Sequence, residues 1–104
     1  MSEETVTVRD APEQSRYEAR VGEELAGFAE YSTTPQMLVM THTEVLPDFE
    51  GRGVGSALAR YALDDIRCRG LRVLAVCPFI LEWIRRHPAY ADLEYRSRTR
   101  ADVD

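Results

Sequence analysis

The sequence predicts a single α/β domain with five strands and two helices. Four segments before residue 46 are rich in β-branched and aromatic residues, or alternate apolar with polar ones, as strands do. Residues 54–66 repeat apolar side chains at steps of three and four, which is the period of an amphipathic helix. The strand–helix–strand order from Met37 to Val76 predicts two parallel strands joined by a right-handed crossover.

Turn sequences separate the first three predicted strands. Threonine and valine alternate over residues 5–10, charged and apolar side chains alternate over residues 16–21, and residues 24–33 form the third strand. Gly22 marks a tight turn between the second strand and the third. The first strand is expected at an exposed sheet edge, where it could pair with another copy, so we expect a monomer or a weak dimer.

The fourth strand is predicted over Met37–Val45 and the fifth over Leu71–Val76. On the fourth strand, Leu38 shares one face with His42 and Glu44, and neither face is wholly polar. We therefore expect this strand to lie inside the sheet with both of its faces covered. The fifth strand is mostly apolar, and a central position is expected for it as well.

Glycine and proline mark the limits of the two predicted helices. The first helix ends at Gly70. The second helix begins at Cys77-Pro78, which puts proline at the first helical position, where it is favoured, and it ends at Pro88. Residues 95–104 are charged and aperiodic, which predicts a frayed tail. The whole chain, residues 1–104, is therefore expected to form one domain with an ordered core over about residues 5–93.

Composition excludes several classes of protein. The chain has 104 residues and a formal net charge of −5, which argues against sequence-independent nucleic-acid binding and favours a cationic partner such as an amine. No apolar run approaches the roughly 20 residues of a membrane helix. The acidic N-terminus is unlike a signal peptide, and two cysteines without a paired framework indicate a cytoplasmic location.

A glycine-rich segment, residues 50–56, lies between the fourth strand and the first helix. Alternate glycines allow a tight turn and a close approach of a ligand to the backbone. The first N–H groups of the helix lack intrahelical partners and, together with the helix dipole, attract anions. The segment therefore predicts phosphate binding by five backbone amides, those of Arg52, Gly53, Val54, Gly55 and Ser56.

The spacing of the loop excludes two common phosphate motifs. A P-loop needs a lysine, which this chain lacks, and a dinucleotide fingerprint needs a third glycine at another position. The pattern Q/R-x-x-G-x-G/A fits better, read as Glu50-x-x-Gly53-x-Gly55. Glu50 departs from the usual glutamine or arginine.

Three motifs follow one another in the order of a known family. Residues 42–45 precede the glycine loop. Cys77-Pro78-Phe79 follows the loop, and the segment Arg86–Tyr90 comes next. This set resembles the small, single-domain members of the GNAT-type N-acetyltransferase superfamily, over roughly residues 15–93. The resemblance implies a mixed, mainly antiparallel five-stranded sheet with two helices.

The same resemblance implies acetyl-CoA or coenzyme A as the ligand. Its pyrophosphate would meet the glycine loop, and its pantetheine would lie along Val45 and Leu46, where the fourth and fifth strands part. The segment Arg86–Tyr90 would border the coenzyme site, Phe79 and Tyr90 would contact the coenzyme, and Tyr90 would be a candidate proton donor to the leaving thiolate. The segments that shape the acceptor pocket in the superfamily are almost absent here, so the acceptor would be protein-sized or there would be none.

Three residues are candidates for the chemistry. Cys77 follows a strand at a helix N-cap, where a thiolate is favoured, so it could accept the acyl group, line the thioester end or be a small buried residue. His42 is a candidate base, and Glu44 is its rival. Cys68 lacks these features and is expected to be structural. No pair of histidines and cysteines has metal-ligand spacing, so no metal is expected.

We therefore expect acetyl-CoA-dependent N-acetyl transfer to a primary amine, either directly or through acetyl-Cys77. A backbone N–H would stabilise the oxyanion. One alternative is a non-catalytic module that binds coenzyme A or acyl-CoA. A further alternative, a protein-interaction module, predicts that coenzyme A does not bind at all.

Overall fold

A computed structural model describes residues 5–95 and contains one five-stranded sheet and two α-helices. The strands are β1 (Val6–Ala11), β2 (Arg16–Val21), β3 (Glu24–Thr33), β4 (Met37–Val45) and β5 (Arg72–Ala75). The helices are α1 (Val54–Cys68) and α2 (Pro78–Arg86), and 3₁₀ turns cover Pro12–Gln14, Pro47–Phe49 and Pro88–Leu93. All five predicted strands and both predicted helices are confirmed. Beyond Tyr95, the predicted frayed tail lies outside the described residues.

The strands follow one another across the sheet in the order β1-β2-β3-β4-β5. The first three pairings are antiparallel, and β4 pairs with β5 in parallel from Met37↔Arg72 to Met40↔Ala75. This confirms the mixed, mainly antiparallel sheet and the edge position of β1. No described helix is long and apolar enough to cross a membrane.

The expected central position of β5 is wrong. Among residues 5–95, this strand is the last of the sheet, and beyond it only a short bridge from Glu94 and a hydrogen bond from the Tyr95 amide meet Val73. Val73 is fully buried, whereas Leu74 is 36% exposed and Val76 is 58% exposed. The apolar run therefore reflects burial of one face of the strand and not a central place in the sheet.

Both helices pack on the same face of the sheet and enclose one hydrophobic core. The apolar stripe of α1 is buried through Leu58, Ala62 and Ile66, and α2 contributes Ile80 and Ile84. The sheet supplies residues that are almost fully buried, among them Tyr17, Ala29, Tyr31, Leu38, Met40 and Val73. No described helix covers the other face of the sheet.

A β-bulge decides which side chains of β4 reach the core. Glu30 pairs with His42 but Tyr31 pairs with Met40, so Thr41 is an extra residue on β4. Beyond the bulge, Thr43 lies on the helix side and His42 on the uncovered side, so the prediction that Leu38 shares a face with His42 and Glu44 is wrong. The expectation that both faces of β4 are covered is therefore wrong.

We call the uncovered side the open face. Cross-strand pairing arranges the residues of the open face in adjacent rows. One row is Arg9, Glu18, Phe28 and Glu44, and the next row is Arg16, Glu30 and His42. Val39 and Leu74 also pair on this face, closer to the edge at β5. The side chains of His42 and Glu44 are 54% and 49% exposed.

One carboxylate on the open face is buried beneath arginines. Glu18 is 1% exposed, and its oxygens lie 2.8 Å from Arg16, 3.3 Å from Arg20 and 3.4 Å from Arg9. Burial by itself would raise the pKa of Glu18, but hydrogen bonds from Arg16 and Arg20 and their charges outweigh it and hold the pKa below its usual value. Arg16 also lies 4.6 Å above the ring of Phe28.

A network of polar side chains joins the end of α1 to the sheet on the helix side. Tyr17 donates to Asp65 at 2.8 Å, and Tyr31 donates to Asp10 at 2.5 Å. Arg69 bridges the two carboxylates at 2.7 Å and 2.9 Å. Burial, followed by these hydrogen bonds, raises the pKa of both tyrosines.

Candidate functional site

The glycine loop bends the chain into α1 through two left-handed residues. Gly51 has φ +81° and Gly53 has φ +80°, a region that residues with a Cβ adopt only with strain. Gly53 is the N-cap of α1, and its carbonyl accepts from the amide of Ala57 at 3.0 Å. The helix therefore begins at Val54, immediately after the turn.

The start of α1 offers unpaired amides to a ligand. No side chain caps the helix, and the N–H groups of Val54, Gly55 and Ser56 have no hydrogen-bond partner within residues 5–95. The helix dipole adds a positive potential at this end. This geometry favours a phosphate group.

A cavity of about 410 Å³ lies against these amides. Six of the nine predicted coenzyme contacts line it, namely Val45, Gly53, Val54, Gly55, Ser56 and Phe79. The opposite wall comes from α2 and the residue after it, with Trp83, Arg86 and His87. Arg86 brings positive charge to the cavity, while Glu50 brings a carboxylate.

The third glycine of the loop has a packing role. A Cβ on Gly55 would lie 2.9 Å from Cζ of Phe79, so any larger residue would displace that ring. Phe79 is 41% exposed and lies over the first turn of α1. Gly55 therefore lets α2 approach the loop closely, whereas Gly51 and Gly53 provide the turn itself.

Trp83 and His87 form one wall of the cavity, and the segment Arg86–Tyr90 expected to border the coenzyme includes His87 but not Trp83. The indole N–H of Trp83 donates to the Ser56 hydroxyl at 2.9 Å. The imidazole of His87 stacks on the indole at 3.7 Å, and its Nδ1 lies 2.7 Å from the Trp83 carbonyl. Because a carbonyl only accepts, Nδ1 carries the hydrogen, so Nε2 is the ring atom left for a ligand. The motif Arg86–Tyr90 was the only sequence signal for this wall.

Three predicted coenzyme contacts lie outside the cavity lining. The amide of Leu46 donates to Ala26, and the Arg52 guanidinium lies 5.3 Å from the centre of a neighbouring phenyl ring. The Tyr90 hydroxyl donates to Asp64 at 2.8 Å, a hydrogen bond that raises the pKa of this tyrosine.

A cleft opens between β4 and β5 next to the cavity. The amides of Val76 and Cys77 both donate to the Met40 carbonyl at 3.0 Å, and the two strands part beyond this point. Cys77 is the N-cap of α2 and is 4% exposed. Its thiol donates to the Thr43 hydroxyl at 3.5 Å, across what we call the β4–β5 cleft.

The candidate base lies on the other side of β4. His42 Nε2 is 3.2 Å from a carboxylate oxygen of Glu44, and both side chains are on the open face. Neighbouring residues of a strand point to opposite faces, so His42 points away from Thr43 and from the thiol that Thr43 contacts. The structure therefore brings His42 and Glu44 together but does not pair His42 with Cys77.

The two cysteines differ in burial and are both free. Cys77 is buried at the cleft, whereas Cys68 is exposed on α1. Within residues 5–95, histidines, cysteines and carboxylates do not come together in a group that could hold a metal ion.

Comparison with known proteins gives one family match and several structural ones. A model of the GCN5-related N-acetyl-transferase family matches residues 16–93, which is most of the chain. No curated protein matches the sequence significantly.

Solved structures of acetyltransferases share the fold. A GCN5-like candidate N-acetyltransferase from Staphylococcus aureus superposes with a TM-score of 0.66 at 18% identity, covering 88% of this chain and 89% of that one. A ribosomal-protein-alanine N-acetyltransferase from Brucella melitensis superposes with a TM-score of 0.57 at 22% identity, covering 79% of this chain and 62% of that one. A candidate acetyltransferase of the GNAT family from Desulfovibrio desulfuricans superposes with a TM-score of 0.52 at 28% identity, covering 58% of this chain and 41% of that one.

Proposed function

Because this chain belongs to the GCN5-related N-acetyltransferase family, we propose that it transfers an acetyl group from acetyl-CoA to a primary amine. The observation that carries the proposal is the uncapped start of α1, whose free amides at Val54, Gly55 and Ser56 face a cavity. That cavity adjoins the β4–β5 cleft through Val45 and Phe79.

The residues of the cavity fit a coenzyme with a diphosphate. The three amides would hold the diphosphate, and Arg86 would add positive charge from the opposite wall. Val45 and Phe79 offer apolar surface for the pantetheine arm between the loop and the cleft. Bound acetyl-CoA supplies a thioester carbonyl, at which an N–C bond forms as the C–S bond breaks and the thiol leaves.

His42 is the proposed base, and Glu44 is its orienting partner. A carboxylate accepts from the Nε2–H of the imidazole at 3.2 Å, which leaves the lone pair on Nδ1. Nδ1 can then take a proton from the amine on the open face, before the amine enters the β4–β5 cleft, and the carboxylate stabilises the imidazolium that forms. Glu44 was the rival base, and the contact supports a joint role for the two residues.

Direct transfer is proposed over an acetyl-cysteine intermediate. The Cys77 thiol is 4% exposed and donates to Thr43, while His42 lies on the other side of β4. No base among the described residues contacts this thiol. Cys77 is therefore proposed to line the thioester end of the site. A reducing compartment such as the cytoplasm would keep this thiol and that of Cys68 free.

Calorimetric titration with acetyl-CoA, followed by a thiol-release assay with a panel of amines, tests the proposal. We expect binding that shifts the amide resonances of Gly53 and Gly55. We also expect turnover that is abolished in His42→Ala and retained in Cys77→Ala. Binding without turnover for any amine would favour a coenzyme-binding module, and a lack of binding would overturn the proposal.

A further inference from the structure

We infer that the outer edge of β1 is the surface through which two copies of this chain associate. In the dimer, the two β1 strands would pair antiparallel about a two-fold axis at Thr7 and join the sheets of both copies. The inference goes beyond the proposed function, since it concerns a part of the molecule that does not line the coenzyme cavity. Its starting point is the contrast between the two edges of the sheet.

The edge at β5 is short and partly covered. The strand has four residues, Arg72–Ala75, and a bridge from Glu94 meets its outer side. The Tyr95 amide donates to the Val73 carbonyl on that side at 2.7 Å. Short edge strands and covering segments are devices that prevent a further strand from pairing. This end of the sheet is therefore poorly suited to another chain.

The edge at β1 lacks such devices within residues 5–95. β1 pairs with β2 along its whole length without a register shift, whereas both inner antiparallel pairings contain one. Residues 5–8 alternate threonine and valine and include neither proline nor a charged residue. The backbone N–H and C=O groups of β1 that point away from β2 can therefore pair with another strand.

Apolar side chains on the helix side of β1 are only half covered. Val6 and Val8 pack against the hydrophobic core but stay half-buried, because no described strand lies beyond them. Above β2, Tyr61 of α1 is 40% exposed, and its ring centre lies 5.9 Å from that of Tyr17. A strand added at this edge would cover both valines and shield more of the core from water.

The alternation of side chains favours a second copy over an unrelated strand. Directly opposite residues of an antiparallel pair lie on the same face, so a two-fold axis normal to the sheet passes through a residue and not between two. With the axis at Thr7, this threonine faces its own copy, and Val6 faces the partner's Val8. Cross-strand pairs of β-branched residues stabilise antiparallel strands. The edge is therefore complementary to itself.

The neighbouring registers are less favourable. An axis at Val8 would set Val6 against Asp10, a carboxylate that pairs with Arg69 at 2.7 Å. An axis at Val6 would shorten the paired stretch of described residues to 5–7, whereas an axis at Thr7 pairs residues 5–9. Of the three registers, the one with its axis at Thr7 alone sets valine against valine within the described residues.

This association would leave both coenzyme cavities accessible. The cavity is lined from β4, the glycine loop and the α2 region, and neither β1 nor β2 contributes a residue to it. Each copy would therefore keep its own cavity, far across the sheet from the axis. A variant that blocks association should bind acetyl-CoA with the affinity of the wild type, so failure of this inference and failure of the proposed function are measured separately.

Sedimentation equilibrium of the full chain, over micromolar to millimolar concentrations, tests the inference. Because one strand edge is small beside the roughly 1,200–2,000 Å² of a standard interface, we expect a weak dimer with a Kd in the micromolar range. Thr7→Lys and Thr7→Glu each set like charges against one another at the axis and should raise Kd at least about tenfold. An equimolar mixture of the two variants should dimerise again, since lysine then faces glutamate.

Thr33→Lys is the matched control, because Thr33 is an exposed threonine at the end of β3, an inner strand. It should dimerise as the wild type does. A monomeric wild type would overturn the inference, and so would a dimer that Thr7→Lys leaves intact. Failure of the mixture to dimerise would overturn the position of the axis.

Cross-linking repeats the test without added charge. In a Cys68→Ser background, Thr7→Cys adds one exposed thiol to a chain whose other cysteine, Cys77, is buried. A short bis-maleimide should link two copies through the new thiol at the concentrations where the wild type dimerises. Thr33→Cys in the same background should stay unlinked. Equal linking of the two variants, or none through Thr7→Cys, would overturn the inference.

Discussion

The indole N–H of Trp83 donates to the Ser56 hydroxyl at 2.9 Å, which ties α2 to the first turn of α1 beside the glycine loop. Trp83 is 5% exposed, and the Ser56 hydroxyl is the partner of its indole N–H among the described residues. Because the hydroxyl accepts from the indole, its own hydrogen and the Ser56 amide remain free to donate to a ligand. This hydrogen bond and the contact of Phe79 with Gly55 together hold the two walls of the cavity close to each other.

Ser56→Ala should lower the free energy of unfolding by about 1–3 kcal/mol, because it leaves a buried indole N–H without an acceptor. Urea denaturation measures this change. Trp83→Phe removes the donor as well as part of the core. In the Trp83→Phe background, Ser56→Ala should lower the free energy of unfolding only a little. A full cost for Ser56→Ala in both backgrounds would contradict the role of this hydrogen bond.

His87→Gln should weaken coenzyme A binding about three- to tenfold, because the imidazole lines the cavity and its Nδ1 is committed to the Trp83 carbonyl. Nε2 is then the ring atom left for the ligand, and in the imidazolium it carries the hydrogen that donates to a phosphate. Calorimetry measures the change, and His42→Gln on the open face is the matched control, for which we expect the affinity of the wild type. A drop of equal size in both variants would argue against a specific contact.

Glu50→Gln should tighten coenzyme A binding, in contrast to most substitutions at a binding site. The Glu50 carboxylate lines the same cavity as the amides proposed to hold a diphosphate, and like charges repel. A several-fold fall in Kd is expected, and it should shrink as salt is added. Asp48→Asn removes a nearby carboxylate that does not line the cavity and should have little effect. A higher Kd for Glu50→Gln would mean that the carboxylate stabilises the loop.

The parts of the fold that could be predicted from sequence depend on local chemistry. Glycine at positive φ marks turns, as at Gly22 and Gly53, and the apolar stripe of α1 depends on residues within a few positions of one another. The glycine loop was predictable for the same reason. The phosphate binding proposed for the loop depends on backbone groups that any sequence with this turn would expose.

The parts that could not be predicted depend on distant contacts. Nothing in the sequence around Thr41 indicates a bulge, yet the bulge places His42 on the open face, opposite the buried Leu38 and Met40 with which strict alternation would group it. Trp83 and Ser56 are 27 residues apart, so their contact has no local pattern. For β5, apolar content could not distinguish burial of one face from a central position in the sheet, and Leu74 is exposed.

Stability should fall in acid through Glu18. The folded-state pKa of this buried carboxyl lies below its ordinary value of 4.5, because hydrogen bonds from Arg16 and Arg20 outweigh the effect of burial. The unfolded chain therefore binds the proton at higher pH than the folded chain does. Stability from these contacts is complete above the ordinary pKa and is lost as pH falls through the folded value.

Urea unfolding at a series of pH values measures this loss. Wild-type stability should decrease as pH falls below about 4.5, and Glu18→Gln should lower stability at neutral pH while flattening the acid slope. Glu13→Gln is the matched control, because Glu13 is exposed and meets Arg9 only at 3.8 Å, so it should leave both the stability and the slope nearly unchanged. An acid slope in Glu18→Gln as steep as that of the wild type would assign the pH dependence to other carboxylates.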